Sequence, residues 1–274
     1  MELMDRLPDF ENPPVIETAL GVRFAPLDRW SIPYFGLFWN TIKERYPYAE
    51  VNPPLAPDPE IGTGGPLFGK PDFPRLEIVS SPPVRCWFLN ESKTELIQLQ
   101  NDRLIHNWRK VSGSEPYPHH ETTRPAFERD WKVFCEFLSS QDLGTPSVKQ
   151  CEVTYVNHID RGQGWESFND LPKVFPCWAG ATSSGFLPSP ESVSFQTSYL
   201  MPEGKGRLHI VLVHAIRQSD AKETLQLTLV ARGNPVSGAL PNLLEWLDAG
   251  RESIVRGFTD FTSDNMHRIW RRIR

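Results

Sequence analysis

Residues 207–217 read RLHIVLVHAIR and residues 224–232 read TLQLTLVAR, and these two stretches decide the fold. In the first stretch Leu208, Ile210 and Leu212 occupy every second position, which is the period of a half-buried β-strand. The second stretch alternates in the same way, and only a short polar segment separates the two. Together they predict an antiparallel hairpin.

The same two patterns extend along the rest of the chain. Apolar residues at every second position predict further strands at 16–24, 84–89, 95–100, 104–109, 151–159 and 193–200. Apolar residues at helical spacing predict helices at 33–42, 125–138 and 165–175, a long helix from 240 onward, and a last helix that Thr262 caps. Segments rich in proline, glycine and serine predict irregular connections at 47–83 and 176–192.

The order of these elements repeats once. Residues 1–146 and residues 147–274 each have the predicted order β-α-β-β-β-α. We therefore predict an α+β protein of two similar halves, with antiparallel sheets, helices packed on one face, and one continuous curved sheet. A single irregular α+β domain without internal duplication is the alternative.

Composition excludes several classes of partner. The formal net charge is −5, whereas a protein that coats duplex DNA needs a dominant basic field. No apolar run approaches the roughly 18 residues of a membrane span. The four cysteines form no C-x-x-C pair, so we expect free thiols and a cytoplasmic location. The run at 62–65, Gly-Thr-Gly-Gly, lacks the context of a dinucleotide site, and we predict no cofactor and no metal. Composition leaves the oligomeric state open.

Polar and aromatic residues are most concentrated on the strand before residue 110. On a strand, Asn107 and Arg109 share one face, and His106 and Trp108 share the other. An arginine beside a tryptophan binds planar or anionic ligands by stacking and charge. A sheet rim whose charges satisfy loop carbonyls is the alternative. We therefore take five residues as binding candidates here: Arg103, His106, Asn107, Trp108 and Arg109.

The second half contributes further candidates. A buried asparagine at Asn157 needs hydrogen-bond partners. A histidine such as His158 acts as an acid or base only if a carboxylate reaches it. A histidine on an apolar strand face, such as His214, is more often a core residue than a ligand. The candidates from this half are Tyr155, Asn157, His158, His214 and Arg232.

Several segments also resemble a known family. They are NPPVIETALGVRF, LQNDRLIHNWRK, CEVTYVNHI, LTLVARGNP and WLDAGRESIVRGFTDFTSDNMHRIW, which begin at residues 12, 99, 151, 227 and 246. Together they resemble a sporadically distributed family of bacterial proteins without an established activity, along nearly the whole chain. The resemblance implies a bacterial cytoplasmic protein, and it carries no catalytic residues over. A patchy distribution suits an accessory gene, such as one for defence or for a toxin–antitoxin pair.

Three functions remain in competition. The first is a non-enzymatic binding or regulatory protein whose partner is a protein or a small planar or anionic ligand. The second is an enzyme that uses His106, His158 or His214 as acid or base, which requires a cleft and a carboxylate or hydroxyl within about 3.2 Å. The third is a binder of single-stranded nucleic acid that stacks bases on Trp87 and Trp108.

Overall fold

The computed structural model describes residues 6–55, 84–178 and 186–274. Within these ranges nine strands form one sheet, with five α-helices, and the predicted α+β class is confirmed. The strand order is β2-β3-β4-β5-β1-β6-β9-β8-β7. The strands are β1 (Val15–Phe24), β2 (Tyr48–Asn52), β3 (Arg85–Leu89), β4 (Glu95–Gln100), β5 (Arg103–Arg109), β6 (Val148–Asp160), β7 (Ser194–Leu200), β8 (Arg207–Ile216) and β9 (Glu223–Gly233). The helices are α1 (Ile32–Ile42), α2 (His120–Ser140), α3 (Leu171–Val174), α4 (Leu240–Phe261) and α5 (Asp264–Ile269).

The chain forms two compact units that interleave in sequence. Unit 1 contains Met1–Glu17, Thr154–Ala231 and Asp248–Arg274, and unit 2 contains Thr18–Val153 and Arg232–Leu247. Strands β1, β6 and β9 each run through both units. The division into residues 1–146 and 147–274 rests on a repeated order of elements, and it stays a prediction, as does the internal duplication.

The core of unit 2 lies between its strands and the helices α1 and α2. Because β1 alternates, Phe24 points to one face, where its ring lies 5.6 Å from that of Phe134 on α2. On α1, Phe38 packs edge-on against Phe88 of β3 at 5.9 Å. All four rings are almost fully buried. Burying side chains of this size stabilises a fold by roughly 1.5–3 kcal/mol each.

The core of unit 1 lies between β8 and the C-terminal part of α4. A Cβ at Gly257 would stand 2.5 Å from Leu208 Cδ2, so the absence of a side chain lets the helix approach β8 closely. The Phe258 ring packs 5.1 Å from Trp270 and 5.7 Å from Phe10. An isolated antiparallel bridge joins Phe10 to Arg272, so both ends of the described chain close this core.

Four element predictions differ from the structure. The segment predicted as a loop from residue 47 contains β2, which is short and flanked by prolines. Helix α2 begins at His120, and Pro125 lies inside it. The helix predicted over 165–175 is only a 3₁₀ turn followed by the four residues of α3. Ser263, not Thr262, caps α5 by accepting from Met266 N–H at 3.3 Å.

Two predicted loop features, the Gly-Thr-Gly-Gly run at 62–65 and the central part of the 176–192 connection, lie outside the described residues. In the parts of the chain that the structure describes, no helix has both the length and the apolar character needed to traverse a bilayer.

Candidate functional site

A cavity of about 530 Å³ opens in unit 1 between the outer strands β7 and β8 and the C-terminal part of α4. Its apolar lining comes chiefly from Leu208 and Ile210 of β8, Met201 after β7, and Phe261 of α4. The exposed side chains of Tyr199 and Leu200 stand at its edge. The cavity is therefore an apolar recess at the margin of the sheet.

The turn between β7 and β8 shapes one wall of this cavity. Met201 N–H donates to Gly206 O at 2.9 Å and closes the turn. Inside it, Glu203 has φ of 57° and Gly204 has φ of 69°, so the chain passes through the left-handed region twice in succession. Glycine at 204 adopts this conformation at no steric cost, and the tight reversal brings Glu203 and Lys205 to the rim.

The charged side chains at the rim mostly neutralise each other. Arg256 Nε donates to Glu252 Oε1 at 2.7 Å, and Lys205 Nζ lies 3.0 Å from Glu203 Oε2. Asp260 is exposed and has no ion-pair partner among the described residues. The described lining therefore carries three carboxylates against two cations. An excess negative charge surrounds the apolar recess.

Cys177 is the exposed member of the four free cysteines, and it also lines the cavity. Partial desolvation of its thiol raises the pKa above the ordinary value. Burial likewise raises the pKa of Cys86 and Cys135 to about 11 and that of Cys151 to about 12. All four thiols are therefore protonated near neutral pH, and they are weak nucleophiles.

Two of the predicted binding residues, Asn107 and Arg109, lie together on one face of unit 2. Asn107 Oδ1 accepts from Gln98 Nε2 at 2.9 Å, and Gln98 Oε1 accepts from Trp87 Nε1 at 3.0 Å. The Arg109 guanidinium lies 5.3 Å from the centre of the Trp87 ring, and so does that of Arg85. Arg109 therefore stacks on Trp87 rather than on its neighbour in sequence, Trp108.

Trp108 lies on the opposite face of the same strand, almost fully buried, with Tyr117 at 5.7 Å. Strand register places Trp87 on the face of Gln98 and Ile105, away from Trp108. The two tryptophans therefore do not form the common stacking surface that nucleic-acid binding requires of them. Arg103 is also buried, and its Nε donates to Asp102 Oδ1 at 3.1 Å.

His106 belongs to a buried polar cluster that joins β5 to α2. Its Nδ1 lies 2.9 Å from Asp130 Oδ2, and the Tyr46 hydroxyl donates to the same oxygen at 2.6 Å. Arg45 Nη1 donates to Asp130 Oδ1 at 2.9 Å. Burial, with Asp130 beside it, raises the pKa of Tyr46 far above the ordinary value. Because only 1% of His106 is exposed, substrate does not reach its ring.

The other predicted residues of the second half make separate local contacts. Asn157 Nδ2 donates to Leu227 O at 3.0 Å, and Tyr155 is buried. His158 Nε2 lies 3.2 Å from Gln226 Oε1, so an amide and not a carboxylate faces it. Its neighbour Asp160 instead pairs with Arg217. These candidates do not form a common site.

His214 and Arg232 are likewise held within their own surroundings. His214 packs edge-on against Phe168 with ring centres 4.9 Å apart, and its Nε2 is 3.7 Å from Glu223 Oε1. Arg232 pairs with Glu152 within unit 2. None of the three proposed acid–base histidines combines a cleft with a carboxylate or hydroxyl within 3.2 Å.

Sequence reasoning missed the cavity altogether. Its lining comes from a strand end, a turn and a helix between residues 177 and 261, so no local spacing identifies it. The one available signal was compositional. The segment SYLMPEGKG places three apolar residues directly before a charged turn, and α4 carries Glu252 and Arg256 beside Gly257.

Two histidines, the half-buried His158 and the buried His267, predict how stability depends on pH. Burial lowers the pKa of His158 and of His267 below the ordinary value of 6.5. The unfolded chain therefore binds more protons below about pH 6.5 than the folded chain does. We expect the free energy of unfolding to fall as the pH decreases from about 6.5, until each folded-state pKa is passed.

Urea unfolding at pH 7, 6 and 5 checks this expectation. The double variant His158→Gln with His267→Gln should lose less stability over this range than the natural chain. Hydrogen bonds to Lys173 and Arg217 lower the pKa values of Asp170 and Asp220 to about 2. These two carboxylates therefore affect stability only in more acidic solution. Equal losses in both proteins between pH 7 and 5 would show that these histidines do not set the dependence.

Within the described residues, no group of three or more histidine, cysteine or acidic side chains is arranged to hold a metal ion. Comparison of the chain with protein-family models, curated proteins and solved structures gives no match.

Proposed function

We propose that this chain is a non-enzymatic binding protein of the bacterial cytoplasm with an accessory role, and that its cavity receives an apolar group of a protein partner. The observation that carries the proposal is the recess of about 530 Å³ in unit 1. Ligand pockets commonly have this size, with apolar walls and a few polar groups that orient the ligand. Leu208 and Ile210 supply such walls.

The chemistry of the described lining supports binding rather than catalysis. It contains no histidine, and its one thiol, Cys177, has a raised pKa. The carboxylates of Glu203 and Glu252 are already paired with cations. Charged groups that are paired in this way can orient a polar end that lies beside a buried apolar group.

Filling the cavity is the test of this proposal. Ser253 faces the cavity from α4, and among the described residues its hydroxyl bonds only to the helix carbonyl of Ala249, at 3.0 Å. The variant Ser253→Phe places a ring in the recess without removing a core residue. The neutral dye N-phenyl-1-naphthylamine, which fluoresces in apolar surroundings, should saturate one site on the natural chain. We expect Ser253→Phe to bind it about tenfold or more weakly, a loss of about 1.4 kcal/mol.

The variant Ser253→Ala is the matched control, because it leaves the cavity open and should bind the dye as the natural chain does. Thermal unfolding of both variants establishes that they are folded. Modification of Cys177 by a thiol reagent gives a second measurement, since bound dye should slow it. The proposal is contradicted if the natural chain has no saturable dye site, or if Ser253→Phe binds the dye unchanged.

A further inference from the structure

In the part of the chain that the structure describes, β7 is an edge of the sheet without the features by which proteins usually protect an edge. Its seven residues, SFQTSYL, include no charged residue and no proline. Edge strands are normally short, charged, interrupted by proline or covered, because an exposed edge pairs with other chains. The opposite edge, β2, follows this rule: it has five residues, contains Glu50, and is flanked by Pro47 and Pro53.

The backbone of β7 has a defined outward side. His214 N–H donates to Val193 O at 2.9 Å, and Met201 N–H donates to Gly206 O at 2.9 Å. With the antiparallel register to β8, these bonds place the odd-numbered residues in hydrogen-bonded pairs. The even-numbered residues therefore direct N–H and C=O groups away from β8. They are Ser194, Gln196, Ser198 and Leu200.

We propose that an extended segment of a partner protein adds to the sheet by pairing with β7, and that one of its apolar side chains enters the cavity. This inference rests on the function proposed above, and it adds that the partner binds as an extended strand. The cavity and the edge are contiguous, since Tyr199 and Leu200 belong to both. In such strand addition, backbone hydrogen bonds supply affinity and a side-chain pocket supplies specificity.

The charge of the cavity lining and of the chain favours a segment of another protein, rather than a second copy of this chain, as the partner of β7. The described cavity lining has three carboxylates and two cations, and the whole chain has a net charge of −5. The self-pairing of two β7 strands would bring two negatively charged molecules together, and the strand itself carries no cation that could pair with Asp260. A partner strand with lysine or arginine beside its apolar residue matches the rim. The partner is therefore a basic, extended segment.

Amide hydrogen exchange of the full chain, followed by NMR, tests the pairing directly. Selection from a displayed library of random linear 12-residue peptides supplies the probe. In the free protein we expect fast exchange at Gln196 and Ser198 and slow exchange at Thr197, which already bonds to β8. Addition of a selected peptide should slow the two outward amides by about tenfold or more and leave Thr197 unchanged.

Two variants separate the edge from the cavity. Gln196→Pro removes an outward N–H and blocks the edge, and proline is tolerated on edge strands. We expect the selected peptides to bind Gln196→Pro and Ser253→Phe about tenfold or more weakly. Val51→Lys, on the other edge, is the control and should bind normally. Binding of the naphthylamine dye to Gln196→Pro confirms that this variant is folded.

The inference is overturned if no peptide is enriched, if enriched peptides bind Gln196→Pro unchanged, or if sedimentation shows a dimer that this variant dissociates. Enriched peptides without basic residues would overturn the assignment of charge. The dye distinguishes this failure from failure of the proposed function. If the dye binds in the cavity while peptides ignore β7, only strand addition is wrong.

Discussion

Replacement of Asp130 by asparagine should lower the free energy of unfolding by about 3 kcal/mol or more, the cost of breaking a buried ion pair by removing one partner. Asp130 is fully buried and accepts from Tyr46 at 2.6 Å and from Arg45 at 2.9 Å. Because a carboxylate only accepts, His106 donates its Nδ1–H to it. A fourth donor, Arg129 Nε, also points at Asp130, 3.4 Å from Oδ1. An amide keeps only one acceptor oxygen for these four donors, so at least one of them loses its partner.

Asp142 provides a matched control on the surface of the same unit. Its side chain is 91% exposed and pairs with Arg29 at 3.1 Å. Asparagine tolerates its positive φ of 53°, so Asp142→Asn tests the loss of charge alone. We expect a change of about 0–1 kcal/mol, as for other exposed pairs. Urea unfolding measures both variants, and similar small losses would mean that the cluster around His106 does not hold β5 to α2.

Replacement of Gly164 by alanine should destabilise unit 1 by about 2–5 kcal/mol, the sum of backbone strain and overpacking. Gly164 has φ of +93°, a conformation that residues with a side chain rarely adopt. Its added Cβ would stand 2.5 Å from Met266 Sδ and 3.0 Å from Ile269 Cδ1. Met266 is fully buried on α5, so the sulfur has little room to move.

Gly144 distinguishes the cost of backbone strain from the cost of overpacking. It has a similar φ of +87°, yet nothing lies within 4 Å of its added Cβ. Gly144→Ala should therefore cost only the backbone strain, about 1–2 kcal/mol. Chemical denaturation of both variants gives the comparison. If the two losses are equal, the contact between Gly164 and Met266 does not contribute.

The sheet was predictable because alternation is a local property. The stretches 207–217 and 224–232 predict β8 and β9 to within one residue at each end. Strand β2 was not predictable from Tyr48–Asn52, because five residues between prolines are too few for a period to emerge. The long helix predicted from residue 240 is α4, and it continues through Gly257, which has no Cβ to clash with Leu208.

The site was much less predictable than the fold. The residue types of His106 and Arg109 identified them as candidate binding residues, but the sequence does not show their partners, which lie elsewhere in the chain. Asp130 follows His106 by 24 residues and lies on another element. Trp87 lies beside Arg109 because the pairing of the strands brings the two residues onto one face. No motif identifies the cavity, because its walls come from separate segments that share no common spacing.

The bridge between Phe10 and Arg272 has a consequence for synthesis on the ribosome. Phe10 emerges long before its ring partners Phe258 and Trp270, which lie far along the chain. Until these partners are made, Phe10 has no core to enter, and this part of unit 1 stays open. Such late, non-local closure slows folding and leaves apolar surface exposed to other chains. We therefore expect unit 1 to expose its apolar side chains for longer during synthesis than a unit built from local contacts would.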